Sequence, residues 1–156
     1  MKNLILSLIV VTLISCNQAK VEKQRKIEVA IDLKSIAGKN IIEVESILGK
    51  PDKIEPFLES STPCKNKPCQ KGYYQKDKFE IIFINEKADW ITINNLSEYD
   101  FDEENIEIFG LKKTEPEFKN PQDLIRWKNI EGINEISIFN DSFGKISYAY
   151  IKTSTE

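Results

Sequence analysis

The hydrophobic pattern divides the chain into an apolar start, a polar connection and a long segment of mixed pattern. Residues 4–14 are apolar apart from Ser7 and Thr12, and residues 17–26 hold four basic residues and one acidic residue without apolar periodicity. A run of eleven residues is too short to cross a bilayer as a helix, which takes about 20 residues, but it suits the apolar region of a secretion signal. The pattern places the folded domain in residues 31–156.

The first predicted helix of that domain covers residues 41–48. Asn40 is a good N-cap, and Glu43, three positions later, completes a capping box. Apolar residues at three- and four-residue spacing give the helix one apolar side. Gly49 and Pro51 are placed to end it.

A second helix is predicted over residues 99–109, and a short turn or helix over residues 33–37. The longer segment starts with acidic residues, which a helix dipole favours at its N-terminus, and continues with apolar ones. Gly110 then ends the helix.

Six further segments are rich in aromatic and β-branched residues and are bounded by turn residues, which predicts antiparallel strands. They cover residues 72–76, 79–85, 88–94, 124–130, 134–140 and 145–152. The expected fold class is α+β, with short helices packed on one face of an antiparallel sheet.

The residues that end helices and start loops occur twice in the domain, at similar spacing. Gly49 followed by Glu55 and Pro56 resembles Gly110 followed by Glu115 and Pro116, at offsets of 61 and 60 residues. Residues 31–156 are expected to form a single α+β domain, in which these short matches are coincidental. The alternative is that the domain consists of two tandem halves of one helix and three strands each, residues 31–95 and 96–156.

Composition limits the chemistry. The 156 residues include 22 Lys and Arg against 25 Asp and Glu, for a net charge of −3, and they include no His. Without His, the chain has no Ser-His-Asp or Cys-His nucleophile arrangement and no His-ligated metal or haem. A mildly acidic chain is also not expected to bind nucleic acid. We expect no cofactor, no metal site and no catalytic residue.

The first of three Cys follows the apolar start. Residues 13–16 read LISC, which resembles the lipobox of bacterial lipoproteins. The resemblance implies a signal peptide over residues 1–15, a lipidated Cys16 as the mature N-terminus and a tether over residues 16–30. The alternatives are an ordinary secretion signal with a chance Cys and an N-terminal anchor helix.

The same resemblance implies where the protein is located. Acyl chains on Cys16 contribute about 0.8 kcal/mol per CH₂ placed in a bilayer, so two or three chains anchor a soluble domain firmly. We expect a bacterial cell-envelope protein. Because no acidic run follows Cys16, an outer-membrane position facing the periplasm is favoured.

Cys64 and Cys69 remain, an even number in an exported chain, and they lie in a loop rich in Pro and Ser. A disulfide between them would rigidify that loop and contribute about 2 kcal/mol. The alternatives are a redox pair and a metal clip. Redox motifs usually have two residues between the Cys, and two thiolates without His form half a zinc site.

Residues 38–51 read GKNIIEVESILGKP. Through Gly38, Val44, Leu48, Gly49 and Pro51, they resemble a segment of SmpA/OmlA-type small outer-membrane lipoproteins and of the related β-lactamase inhibitory protein fold. The resemblance implies helices on one face of an antiparallel sheet and a role in protein binding. It brings no catalytic residues.

Aromatic residues are the candidates for partner contact. Strand alternation places Trp90 opposite to its apolar neighbours Ile91 and Ile93. The face without helices would then carry a Trp and Tyr patch of the kind that anchors protein partners. The candidate residues are Tyr73, Trp90, Trp127 and Tyr148, with Tyr150 as the other option for the last. The alternative is that these rings are core.

Carboxylates offer the remaining chemistry. Residues 98–105 alternate acidic positions but lack the central Gly and distal Glu of an EF-hand, so they are interpreted as a solvated helix start. Glu80 and Asp89 could act as an acid pair only in a cleft. We expect a lipid-anchored, non-catalytic module that binds an envelope protein, as an assembly subunit, inhibitor or immunity-like protein. The alternative is a small carboxylate-based hydrolase or ligand-binding lipoprotein.

Overall fold

The computed structural model describes residues 28–155. The predicted signal peptide, the predicted lipidation site Cys16 and most of the predicted tether therefore lie outside the described residues. The helical elements are a 3₁₀ helix at Leu33–Ser35, α1 at Ile41–Leu48 and a second 3₁₀ helix at Glu103–Phe109. The strands are β1 Lys53–Pro56, β2 Cys69–Tyr74, β3 Phe79–Ile84, β4 Lys87–Ile93, β5 Phe118–Asn120, β6 Leu124–Ile130, β7 Ile133–Asn140 and β8 Ile146–Lys152. Within residues 28–155, no helix combines the length and apolar character needed to cross a membrane.

Helix α1 begins and ends where the sequence predicts. Asn40 Oδ1 accepts a hydrogen bond from Glu43 N at 3.0 Å, and Glu43 Oε2 accepts one from Asn40 N at 2.9 Å, which completes the capping box. Gly49 follows at a φ of +86°, a conformation that a side chain would strain.

The second predicted helix is shorter than expected. Its first residues pair with the start of β8 instead: Ile146 N donates to Tyr99 O at 3.0 Å, and Asp100 forms a bridge with Lys145. A 3₁₀ helix starts only after Asp102, whose carboxylate caps it by accepting from Glu104 N at 2.8 Å. Tertiary pairing thus replaces the first turn of the helix.

All eight strands form one antiparallel sheet in the order β1-β2-β3-β4-β8-β7-β6-β5. The prediction of an antiparallel sheet with short helices is confirmed, although the sheet dominates the fold more than expected. Strands β1 and β5 were not predicted. Both are short, lie at the two edges of the sheet and pair on one side only, and β1 ends in Pro56, as edge strands tolerate.

Each half of the chain contributes four strands, β1–β4 and β5–β8, in the same meander order, and the halves join through β4 and β8. Each half also has one irregularity within its last strand: Asp89 of β4 has no partner on β3, and Ser147 of β8 has none on β7. Each half therefore has four strands, because an edge strand adds to the three that the sequence indicates. Sequence duplication itself stays the alternative hypothesis.

One face of the sheet carries the core. Its buried side chains alternate along the strands, and Val44 and Leu48 of α1 and Ile106 of the second 3₁₀ helix belong to the same cluster. The ring of Tyr74 packs against Gly72. A Cβ at position 72 would lie only 2.8 Å from Tyr74 Cε2, so this contact requires glycine. The Tyr74 side chain is fully buried, and its hydroxyl has no hydrogen-bond partner among the described residues.

This hydroxyl generates a stability prediction. Burial raises the pKa of Tyr74 to about 12, against about 10 in an unfolded chain. Between these pH values the Tyr74 hydroxyl ionises in the unfolded chain but stays protonated in the folded protein. The free energy of unfolding therefore falls as the pH rises from about 10 to about 12. Tyr74→Phe should make this fall shallower in urea unfolding experiments. At pH 7 it should cost no stability, because an unpartnered hydroxyl is removed.

The matched control is Tyr73→Phe. The Tyr73 hydroxyl donates to Glu55 Oε1 at 2.7 Å, so its loss should cost about 0.5–1.5 kcal/mol at pH 7. If Tyr74→Phe were the more destabilising of the two at pH 7, the Tyr74 hydroxyl would have a partner.

Candidate functional site

The sheet face opposite the core carries half-buried aromatic and charged side chains; we call it the open face. Its side chains alternate with the core residues along every long strand, since successive strand residues point to opposite faces. The open face comprises Lys71, Tyr73, Glu80, Ile82, Trp90, Thr92, Leu124, Arg126, Lys128, Glu135, Ser137, Phe139, Tyr148, Tyr150 and Lys152.

The aromatic rings contact each other across neighbouring strands. The ring centroids of Trp90 and Tyr150 are 5.4 Å apart in an edge-to-face arrangement, and those of Phe139 and Tyr148 are 4.4 Å apart and stacked. The first pair joins β4 to β8, so it links the two halves of the chain. Burial raises the pKa of Tyr150, which keeps its hydroxyl neutral. Such pairs add stability beyond their buried area.

Cationic side chains lie over several aromatic rings of the sheet, and each of these cations is also paired with a carboxylate. Lys152 Nζ is 5.6 Å from the centroid of the Trp90 ring and 3.3 Å from Glu135 Oε1. At the first edge, Lys71 Nζ lies 4.8 Å from the centroid of Tyr73. At the second edge, Arg126 lies over Phe118 at 5.4 Å. The same geometry therefore recurs from one edge of the sheet to the other.

The charges near Tyr73 are coupled. Lys71 Nζ is 2.6 Å from Glu80 Oε2. Burial alone would lower the pKa of Lys71, but the hydrogen bond and the negative charge of Glu80 outweigh it and raise the pKa. The hydrogen bond to Glu55 raises the pKa of Tyr73 as well. The Lys71–Glu80 and Tyr73–Glu55 contacts therefore orient both side chains in the free protein.

The predicted partner-binding residues divide between the two faces. Tyr73, Trp90 and Tyr148 lie on the open face, and their role in binding stays a prediction. Trp127 is placed wrongly: it is fully buried in the core, and its Nε1 donates to Thr114 O at 2.8 Å. In β6 it stands opposite Ile136, so it faces the core together with that residue.

The partner-binding candidates chosen from the sequence did not include Phe139 or the cations of the open face. Phe139 alternates with Ile136 and Ile138, so its position was readable from the sequence. The cations were not readable, because the Lys71–Glu80 and Lys152–Glu135 pairs join different strands and depend on the sheet register.

The acid pair considered from the sequence does not form. The Asp89 side chain is buried, and its carboxylate accepts hydrogen bonds from Ser154 N at 3.3 Å, Thr155 N at 3.2 Å and Thr155 Oγ1 at 2.9 Å, as well as from Ser154 Oγ. Glu80 is held by Lys71 and accepts from Asn94 Nδ2 at 3.1 Å. Both carboxylates are therefore occupied by hydrogen bonds or ion pairs with other groups of the same chain.

Asp89 thereby fixes the end of the described chain next to the open face. The bulge leaves Asp89 without a β3 partner, and its backbone carbonyl accepts from Thr153 N at 2.8 Å. Thr155 Oγ1 in turn accepts from Trp90 Nε1. Asn134 Nδ2 donates to Thr155 O at 3.0 Å. This C-terminal segment positions the indole of Trp90.

The disulfide between Cys64 and Cys69 is confirmed. Cys64 is fully buried, and Cys69 is the first residue of β2. Phe57 N donates to Cys69 O at 3.1 Å, so the loop returns to the sheet beside β1. The disulfide therefore closes the loop that connects the edge strand β1 to β2.

The acidic segment from Glu98 onward is engaged in ion pairs with lysines from other parts of the chain. Lys145 Nζ lies 2.7 Å from Asp100 Oδ1, Lys119 pairs with Glu103, and Lys113 pairs with Glu104. Among residues 28–155, no group of three or more His, Cys, Asp or Glu side chains is arranged to hold a metal ion. The 3₁₀ helix begins only after Asp102, so residues 98–102 precede the helix and do not form its first turn as the sequence suggested.

The surface of residues 28–155 has shallow depressions. One of about 330 Å³ is partly filled by the chain's own groups, since Glu131 pairs with Lys34 at 2.8 Å and accepts from Lys112 N at 2.9 Å. The hydrogen bond from Lys34 lowers the pKa of Glu131. Another, of about 320 Å³, lies at the end of the open face and is lined by Lys128, Asn129, Asn134, Glu135 and Thr155.

The Asp89 contacts generate a second prediction. Asp89→Ala leaves the donors of residues 154 and 155 without their acceptor, so unfolding in urea should show a loss of about 1–3 kcal/mol. Trp90 fluorescence should shift to longer wavelength as the segment detaches. The control Glu115→Ala, at an exposed loop position, should change stability by less than about 0.5 kcal/mol. Equal effects of the two variants would contradict the anchoring role of Asp89.

No protein-family model matches the chain, and no curated protein matches it. The chain is similar to the crystal structure of a cysteine-rich secretory protein from Staphylococcus aureus, with a TM-score of 0.46 and 19% identity. The match covers 76% of this chain and 44% of that chain, so this protein spans less than half of the length of its structural neighbour.

Proposed function

We propose that this protein is a lipid-anchored, non-catalytic component of the bacterial cell envelope that binds another envelope protein through its open face. The observation that carries the proposal is the group of partly exposed aromatic rings on the face opposite the core. These rings contact each other across neighbouring strands, with Trp90 and Tyr150 at the centre. Aromatic and Arg side chains contribute most of the binding energy in protein interfaces. The class of partner includes an assembly component, a target enzyme or a toxin.

Pre-organisation supports this function. The rings of Trp90 and Tyr73 are fixed by hydrogen bonds to Thr155 and Glu55, so little side-chain freedom is lost on binding. For the finer architecture we propose that short helices cover one face of the sheet, that two tandem halves build the sheet, and that the other face is left to a partner.

The proposed anchor is compatible with an accessible open face. The described chain enters the domain on the core side of the sheet, where Ala30 N and Ile31 N donate to Ile108 O at 2.8 and 3.1 Å. Ile31 and Ile108 are buried in the core. A tether from Cys16 that joins the domain there leaves the open face unobstructed at its point of attachment.

The hydrolase alternative has no support from the carboxylates that suggested it. Asp89 holds the C-terminal segment, and Glu80 holds Lys71. A general acid or base needs a carboxyl group within reach of a substrate, and neither carboxylate is free for that role.

The binding role is tested by a pull-down from membranes with wild type and Trp90→Ala. We expect the wild type to enrich a defined envelope protein and Trp90→Ala to weaken its binding at least about tenfold, as loss of a central aromatic anchor does. The control Phe143→Ala removes a side chain that is 91% exposed on the β7–β8 turn and should bind like wild type. Equal capture by all three, with native circular dichroism, would refute the proposed face.

Anchoring is tested separately by Cys16→Ser. Without the thiol no lipid can be attached, so the protein should move from the membrane fraction to the soluble fraction. A variant with both Cys64→Ser and Cys69→Ser keeps Cys16 and should stay in the membrane fraction. Membrane retention of Cys16→Ser would contradict the lipoprotein assignment.

A further inference from the structure

The depression of about 320 Å³ continues one row of open-face side chains. In the sheet register, Lys128 of β6 stands opposite Glu135 of β7, Glu135 stands opposite Lys152 of β8, and Lys152 stands opposite Trp90 of β4. We call these four residues the Trp90 row. The depression opens between the first two of them, so it lies two strands away from Trp90 in the same row.

The polar groups in the depression have bonding capacity left over. Glu135 uses one carboxylate oxygen for Lys152, at 3.3 Å. Within residues 28–155, Lys128 forms no ion pair, although it stands directly opposite Glu135. Asn134 uses one N–H for Thr155 O, which leaves its second N–H and its Oδ1. The side chain of Asn129 has no hydrogen bond within the same range.

Thr155 also lines the depression, but its hydroxyl is already engaged within the chain. Its hydroxyl donates to Asp89 Oδ1 and accepts from Trp90 Nε1, so it has no further hydrogen to donate. The open capacity therefore belongs to a cation on one strand, a carboxylate on the neighbouring strand and two amides beside them. Adjacent strands are about 4.8 Å apart, so one small group can reach both charges.

The arrangement selects a neutral group with a donor and an acceptor side by side. A carboxylate would be attracted by Lys128 but repelled by Glu135, and an ammonium group would be attracted by Glu135 but repelled by Lys128 and Lys152. A neutral group that has both a donor and an acceptor is repelled by neither charge. A carboxamide accepts through its oxygen from Lys128 and donates through its nitrogen to Glu135, and hydrogen bonds to charged groups are the stronger kind. The two Asn amides complement it in the same way.

We propose that this depression is a subsite for a carboxamide group, which is an Asn or Gln side chain of the protein partner. The inference rests on the proposed function for the source of the group. A partner anchored at Trp90 reaches the subsite along the Trp90 row, because Glu135 and Lys152 connect the two. The subsite gives the open face a preference for one class of side chain.

The subsite is tested with small probes on the full chain in detergent micelles, by two-dimensional ¹H–¹⁵N spectra. The probe is N-acetylglutamine methylamide, and its control is N-acetylglutamate methylamide, which has the same two backbone amides. The glutamine probe should shift the resonances of Asn129, Asn134 and Glu135, and the glutamate control should shift them far less.

Lys128→Met should weaken binding of the glutamine probe at least about tenfold, since a hydrogen bond to a charged group is lost. Lys53→Met removes a cation from the opposite edge strand β1 and should leave binding unchanged. Both substitutions are at exposed positions, so both variants should fold.

Equal shifts with both probes, or no shifts, would overturn the carboxamide subsite. A larger response to N-acetylglucosamine than to the glutamine probe would overturn the assignment to a protein side chain. If the subsite fails while Trp90→Ala still abolishes partner capture, only this inference falls. If the glutamine probe binds but no partner depends on Trp90, the proposed function falls and the subsite stands.

Discussion

The pairing of β4 with β8 is the constraint on which the rest of the structure depends. Four register pairs join the halves, and they place Ile91 opposite Ile151 on the core face and Trp90 opposite Lys152 on the open face. Without this pairing each half would expose an unpaired strand and a divided core, and a sheet with such an edge tends to associate with other chains. A single pairing thus builds both the core and the open face.

Two bulges adjust this junction, and they explain where simple alternation fails. Ile146 shares the alternation of Tyr148 and Tyr150, yet it is fully buried because Ser147 is an extra residue that has no partner on β7. In β4, the corresponding extra residue is Asp89, which turns its carboxylate to the C-terminal segment. The bulges therefore add an apolar residue to the core in one half and a polar anchor in the other.

Much of the fold was predictable because its signals are local. The capping box of α1, the alternation of six strands and the short Cys64–Cys69 loop each lie within a few residues of sequence. The edge strands β1 and β5 were missed because three or four residues carry no readable alternation. The second helix was overestimated because Tyr99 pairs with a strand 47 positions further along the chain.

The open face was predictable only in part, for the same reason. Trp90 and Tyr148 followed from alternation, and the error at Trp127 was avoidable, since Ile125 and Trp127 alternate with Arg126 and Lys128. By contrast, the contacts of Asp89 with residues 154 and 155 join positions 65 and 66 apart. No local pattern encodes such pairs, so the acid-pair interpretation of Glu80 and Asp89 could be rejected only with the fold in hand.

The ion pairs of the open face reconcile solubility with the proposed binding. A bare row of rings would be a large apolar patch, which soluble proteins rarely leave exposed. Lys152 and Lys71 cover the faces of Trp90 and Tyr73 and hold carboxylates beside them. Partly exposed ion pairs contribute only about 0–1 kcal/mol each, so a partner can move the lysines aside at small cost. The rings beneath them stay fixed by the sheet, so under the proposed function the open face would present charged side chains to water when free and aromatic rings to a bound partner.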